Sequence, residues 1–168
     1  MVVAAVLTAG LALGTGPAVA QAPPLVYASG PLSDLAPSAA NVTDEASAQV
    51  FAISFGDSTY FVFLLSGLDP DAAGQRYGAH VHVGPCVAGN GAAAGPHYNT
   101  GGTPTPETEV WLDFTVLPGG FAYAITQVPF TIEPGTAQSV LVHAEPTQEG
   151  GSTPGAAGGR IACLPVEF

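Results

Sequence analysis

Four histidines are the residues of this chain whose type and spacing could do metal chemistry. His80 and His82 form an H-x-H pair, and alternate residues of a β-strand share one face, so both imidazoles can point at one ion. His97 lies within Gly-Pro-His-Tyr-Asn, and His143 ends the run Val-Leu-Val-His. Four imidazoles suit copper or zinc, and nitrogen donors in a square-planar or tetragonal arrangement are typical of Cu(II). The alternative interpretation is that these are surface or capping histidines.

Short β-rich runs must position these histidines. In residues 109–116 the even positions are apolar and the odd positions are mostly polar, which is the period of a strand with one face on a core. Seven or eight such runs without a helical stretch predict an all-β protein, an antiparallel β-sandwich or barrel. The predicted strands are 25–29, 49–55, 59–66, 77–83, 109–116, 121–126, 139–144 and 160–168.

Two long connections interrupt this rhythm. Residues 84–108 are rich in Gly, Ala and Pro, and residues 145–159 form the second connection. Each histidine lies at a border between a strand and one of these loops, or within the first loop. Long connections without secondary structure inside a compact domain are usually functional, so we expect the two loops to complete the site.

The N-terminus and the cysteines point to export. Residues 1–20 are apolar and end in Ala18-Val19-Ala20, an A-x-A cleavage pattern, which predicts a secretory signal peptide. The alternative is an apolar N-terminal strand or anchor. The two cysteines, Cys86 and Cys163, form an even set, which in a secreted chain suggests one disulfide; two buried free thiols are the alternative. We therefore expect a location in the cell envelope or outside the cell.

Length and charge limit the remaining possibilities. The chain has 168 residues, enough for one domain, which we assign to residues 47–168 after an Ala/Pro-rich lead-in at 21–46. Its formal charge is −11, with 13 acidic residues, two arginines and no lysine. This balance excludes a nucleic-acid binder that neutralises phosphates, and it argues against docking on anionic membranes. We expect no membrane insertion once the signal peptide is removed, and these patterns specify no oligomeric state.

Taken in order, the motifs resemble the copper/zinc superoxide dismutase family over residues 47–168. The resemblance implies a Greek-key β-barrel or sandwich, and copper held by the four histidines. It also implies a disulfide between Cys86 and Cys163, and it implies that Arg160 docks the substrate anion above the metal. The motifs that carry it are Gly67-Leu68, Gly78-Ala79-His80-Val81-His82-Val83-Gly84, Cys86, Gly95-Pro96-His97-Tyr98-Asn99, Val142-His143-Ala144 and Gly158-Gly159-Arg160-Ile161-Ala162-Cys163.

The chain departs from the zinc-containing members of that family. Residues 100–109 contain none of the histidines that bind zinc there, and residues 145–159 contain no aspartate to link two metal sites. We therefore expect a copper-only relative without zinc. Metal-bound imidazoles usually donate their other nitrogen to an acceptor, so another residue should orient His97. Glu109 is the first candidate and Asp113 the second.

The activity implied by the resemblance is conversion of superoxide to dioxygen and hydrogen peroxide. In the family scheme, His97 leaves the reduced copper and carries a proton. A rival is a copper-binding or copper-buffering envelope protein on the same fold, and a third possibility is a structural surface domain. Arg160 has a simpler alternative role as a structural contact near Cys86. Because the chain is so acidic and Glu145 follows His143 closely, we expect turnover below the diffusional ceiling and sensitive to salt.

Overall fold

Period-two alternation in the strands places one set of side chains between two antiparallel sheets. The structure is a computed structural model, and it describes residues 25–168. This part of the chain contains two short 3₁₀-helices, Pro70–Ala72 and Gly91–Ala94, but no α-helix, and neither helix is long and apolar enough to cross a bilayer. Its strands are β1 Leu25–Pro31, β2 Ser33–Asp34, β3 Ser47–Phe55, β4 Ser58–Ser66, β5 Arg76–Tyr77, β6 Ala79–His82, β7 Phe114–Thr115, β8 Phe121–Val128, β9 Ser139–His143 and β10 Arg160–Pro165.

The predicted all-β fold is confirmed as a sandwich of two four-stranded sheets. The first sheet has the order β1-β3-β4-β8 and the second has the order β2-β10-β9-β6, while β5 and β7 form a small separate ladder. The inward positions of β4 show the alternation clearly, because Phe61 and Phe63 are fully buried while Tyr60 and Leu64 point outward. The core between the sheets is therefore aromatic and aliphatic, and it supports the edge strand β6 that carries the H-x-H pair.

The folded part begins earlier than the sequence indicated. Residues 21–46 were expected to be a lead-in with at most a short strand, but β1 pairs with β3 along its whole length, from Leu25 opposite Ile53 to Pro31 opposite Ser47. Strand β2 joins the second sheet beside β10. The physical reason is that β3 would otherwise be an exposed edge, and β1 satisfies its free backbone groups. The predicted signal peptide, residues 1–20, lies outside the described residues.

Two predicted strands are broken up in the structure, and the last predicted strand ends at Pro165 rather than at residue 168. The run 77–83 divides into β5 and β6 at Gly78, where a Cβ atom would lie 2.7 Å from the Cβ of Ala157, so the backbone there passes directly under the second loop. In 109–116 only Phe114–Thr115 is a strand. Upstream of it, Glu109 and Trp111 form single bridges to Asn99 and His80. Glu109 and Trp111 of the predicted polar face are buried, because they contact His97, Asn99 and His80, whereas Asp113 and Thr115 are half-buried.

The two cysteines join the first long loop to the last strand. Cys86 and Cys163 form a disulfide with a Cα–Cα distance of 5.7 Å. Cys163 is fully buried, and the bridge packs in a small apolar cluster with Leu35, Ala94 and Leu141. Because Cys163 lies on β10 and Cys86 follows β6, the disulfide fixes residues 84–95 against the sheet that contains His143.

Candidate metal centre

The four histidines of this chain meet at one place. His80 and His82 lie on β6, His143 ends β9, and His97 lies in the first long loop. One ring nitrogen from each lies within 4.8 Å of the others. The ring centroids of His80 and His97 are 4.1 Å apart, and those of His82 and His97 are 4.7 Å apart. Among residues 25–168 this arrangement places four nitrogen donors around a single point, as binding of one metal ion requires.

Backbone pairing beside β6 brings His97 to the other three. The N–H of Tyr98 donates to the carbonyl of Val81 at 2.8 Å, and the N–H of Val83 donates to that of Pro96 at 3.2 Å. These bonds align the Pro96–Tyr98 segment with β6, so that His82 and His97 form an antiparallel bridge. A loop residue is thereby positioned with the precision of a strand residue.

His82 and His143 each direct one ring nitrogen at a backbone carbonyl oxygen. Nδ1 of His82 lies 3.1 Å from the oxygen of Gly95, and Nδ1 of His143 lies 3.5 Å from that of Gly158. A donor at Nδ1 leaves the lone pair on Nε2, and the two Nε2 atoms are 3.3 Å apart. Gly95 has φ +67°, a conformation that favours glycine, and its carbonyl is aimed at His82 as a result.

His80 is oriented through its opposite nitrogen. Its Nε2 lies 2.7 Å from the hydroxyl of Thr147, and that hydroxyl lies 2.5 Å from a carboxylate oxygen of Asp113. The carboxylate can only accept, so the threonine donates to Asp113 and accepts from His80. The lone pair of His80 is therefore on Nδ1, a buried atom without a hydrogen-bond partner. Buried polar groups are normally paired, so an unpaired nitrogen on a ring that belongs to a cluster of four imidazoles fits a metal ligand.

Glu109 orients His97. Its Oε2 accepts from Nδ1 of His97 at 2.8 Å and from the indole N–H of Trp111 at 2.9 Å, and its Oε1 accepts from the amide of Asn99 at 3.0 Å. Burial by itself raises the pKa of Glu109, but the hydrogen bonds from His97, Trp111 and Asn99 outweigh that effect and leave the pKa below its usual value. The residue is therefore a buried carboxylate at neutral pH, and Nε2 of His97 faces the cluster.

Burial keeps three of the imidazoles neutral. It is the largest cause that lowers the pKa of His82 to about 3 and that of His143 to about 4, and electrostatic interaction with the nearby His97 lowers both further. The same two causes hold the pKa of His80 well below its usual range. A metal binds the neutral imidazole, so these side chains are available as ligands far below pH 7.

Arg160 stands beside the cluster at an open cavity of about 620 Å³. Its guanidinium donates to the carbonyls of Gly91 and Gly95, both at 2.7 Å. Gly95 thus accepts from both Arg160 and His82, which links the guanidinium to a candidate ligand through one oxygen. Two of the five N–H donors of an arginine are used in this way, so others remain for an anion in the cavity.

The structure separates the two acidic residues that were candidates for orienting His97. Glu109 contacts His97, whereas Asp113 contacts Thr147 and the backbone of Ala79 and serves His80 instead. Thr147, Asn99 and Trp111 also orient the histidines or Glu109, and the sequence patterns assigned them no role. No local pattern marks these three residues, because each acts on a group that only the folded chain brings near.

Comparisons with known proteins add no family assignment. No protein-family model matches the chain, and no curated protein matches it either. The likeness to copper/zinc superoxide dismutases therefore rests on the order of the motifs, and the histidine cluster and the Cys86–Cys163 disulfide are compatible with it.

Proposed function

We propose that this protein is an exported copper-dependent superoxide dismutase, which converts two superoxide anions and two protons into dioxygen and hydrogen peroxide. The observation that carries the proposal is the cluster of four imidazoles, in which the buried Nδ1 of His80 has no hydrogen-bond partner. An export route is supported by the disulfide, since such bonds persist in oxidising compartments.

The donor set favours copper. All four candidate ligands are imidazoles, and the cysteines are joined to each other, so no soft thiolate is available from residues 25–168. Imidazole donors alone suit Cu(II) well. Bound copper would supply the one-electron redox couple that dismutation needs. Zinc could occupy the same nitrogens, which is why metal identity is part of the test below.

Arg160, His97 and Glu109 have separate roles in the proposed reaction. Arg160 presents free N–H donors and a fixed positive charge to an anion in the cavity, a preorganised electrostatic role. His97 is the least buried of the four imidazoles and follows Pro96, which lines the cavity, and in the proposed reaction it would be the group that delivers a proton to the anion. Glu109 keeps the opposite nitrogen of His97 protonated while this happens.

A copper-binding or copper-buffering protein is the second candidate. The observation that favours it is the shortage of positive charge, because Arg160 is the one cation that lines this cavity and two of its donors are already used. Glu145 also lies against Gly158 at the cavity wall. A carboxylate there opposes an incoming anion, so we propose a rate below the diffusional ceiling and a marked dependence on salt.

The test is the rate of superoxide loss per bound copper in the parent and in variants of Arg160. We expect Arg160→Ala to retain copper and lose much of its rate, and Arg160→Glu to lose more, because a like charge repels superoxide. The matched control is Arg76→Glu, the same charge change at an exposed residue of β5. A parent that binds copper without catalysis supports the buffering function. If Arg160→Glu equals the parent per copper, the docking role is wrong.

A further inference from the structure

The outer face of the first sheet is mostly apolar and carries no charged residue, although the sandwich core lies on its other side. Aligned by strand register, its outward side chains form cross-strand rows, and the central row is Tyr27, Phe51, Val62 and Ile125. Six large apolar residues of this face are between 52% and 72% exposed: Leu25, Tyr27, Phe55, Phe121, Tyr123 and Ile125. An antiparallel sheet with one solvated face normally alternates apolar and polar residues, so this face departs from the pattern.

The area of the patch matches one side of a protein interface. With Tyr60 and Leu64 added, and ~200 Å² for the full surface of a large side chain, the exposed fractions amount to roughly 800 Å². The largest apolar patch on a typical monomer is ~300–600 Å², whereas each partner of a standard interface buries ~800 Å². The face is therefore larger than a monomer usually exposes and large enough for a stable dimer.

The lack of charged residues in the four strands of this sheet indicates which partner the face can bind. No residue of β1, β3, β4 or β8 is charged, although the chain carries −11 overall. A basic partner would be drawn to the acidic surfaces instead, and an anionic membrane would be repelled. Two copies of the chain repel each other wherever acidic surfaces meet, and this neutral face is where their contact costs least. A second copy presents the same neutral, apolar surface.

The face carries both a groove and protruding aromatic side chains. A groove of about 530 Å³ lies on it, lined by small residues that include Ser29 and Ser66 and by the large side chains of Leu64, Phe121 and Tyr123. In a two-fold pair the same patch meets itself, so protruding rings of one copy can enter the groove of the other. Two sheets packed in this way lie ~10 Å apart.

We propose that the chain forms a two-fold dimer through the outer face of the sheet β1-β3-β4-β8. This face points away from the second sheet, which carries His80, His82 and His143. The dimer therefore leaves the metal centre open, and the proposal is independent of the proposed activity.

The test is sedimentation of the predicted mature chain, residues 21–168, over a range of concentrations. We expect a concentration-dependent species of twice the chain mass, and a tighter dimer at higher salt, which screens the repulsion between acidic copies. Ile125→Glu should raise the dimer dissociation constant at least ~10-fold. The substitution buries a carboxylate in an apolar interface and brings it near the same carboxylate of the second copy, which repels it. The control is Val87→Glu, the same charge on an exposed apolar residue outside the sheet, which should leave the constant unchanged.

Variant folding is checked by metal content and thermal unfolding, and Tyr123→Glu provides a second disruption at an exposed position. A chain that remains monomeric up to ~100 µM overturns the proposal, as does a dimer that survives both substitutions. Open-ended oligomers also overturn it, because a two-fold contact closes. Binding of a monomeric chain to phosphatidylcholine vesicles, lost in Ile125→Glu, would assign the face to lipid instead.

Discussion

Replacing Glu109 by glutamine removes the charge that faces His97 while keeping the size of the side chain. The carboxylate is 3% exposed and accepts from three donors, His97, Trp111 and Asn99. Glutamine has one acceptor oxygen and one donor nitrogen. If the glutamine oxygen takes the position of Oε2, the hydrogen bonds from His97 and Trp111 are kept. The glutamine NH2 then faces the NH2 of Asn99, and two donors cannot bond to each other. In the reverse orientation the hydrogen bond from Asn99 is kept, but those from His97 and Trp111 are both lost.

The size of the effect follows from these contacts. A hydrogen bond to a charged group is worth ~1.5–3 kcal/mol, and a neutral one ~0.5–1.5 kcal/mol, so the bond to His97 weakens by about 1.5 kcal/mol. That is about tenfold in an equilibrium constant. The mismatched contact at Asn99 adds to it, and groups that orient a metal ligand typically change affinity or activity by ~10–100-fold. We expect Glu109→Gln to weaken copper binding, or the rate per copper, within that range.

The assay is competition for copper with a chelator of known affinity, followed by superoxide loss per bound copper. The control is Glu107→Gln, the same change at an exposed position two residues away in the same loop. Unfolding of the metal-free proteins shows whether the fold is retained. If Glu109→Gln stays within twofold of Glu107→Gln in both affinity and rate, then Glu109 does not orient His97 and our account of the centre is wrong.

Three further outcomes are expected. Elemental analysis after reconstitution with both metals should find one copper and no zinc per chain, and a stoichiometric zinc beside copper would contradict the copper-only interpretation. Reduction of Cys86–Cys163 should lower the free energy of unfolding by ~4 kcal/mol, since the bridge spans 77 residues; equal denaturant midpoints with and without reductant would count against this. In the folded, metal-free protein the pKa values of His82 and His143 are about 3 and about 4, whereas an unfolded histidine has a pKa of ~6.5. Below pH ~6.5 the unfolded chain therefore binds more protons than the folded chain. Its free energy of unfolding should therefore fall between pH ~6.5 and ~4, with a smaller slope in His143→Gln, and equal slopes in urea titrations would refute this cause.

Much of the site is already implied by local sequence. Strand periodicity places His80 and His82 on one face, and the Gly/Pro-rich composition of residues 84–108 marks that segment as a loop rather than a strand. Glu109 could be proposed from its place just beyond this loop. These inferences succeed because alternation along a strand and the shape of turns are properties of a few neighbouring residues.

The tertiary structure decides which groups act on each histidine. From the sequence, Glu109 and Asp113 were rivals for one role, but in the fold they serve different histidines, Asp113 through Thr147. It also places Leu25–Pro31 in the first sheet, because the free edge of β3 needs a partner that no local pattern names. Likewise, the alternation within one strand does not show that its outward side chains lie beside apolar side chains of the neighbouring strands. Contacts of this kind depend on sheet register and loop packing, which join residues far apart in the chain.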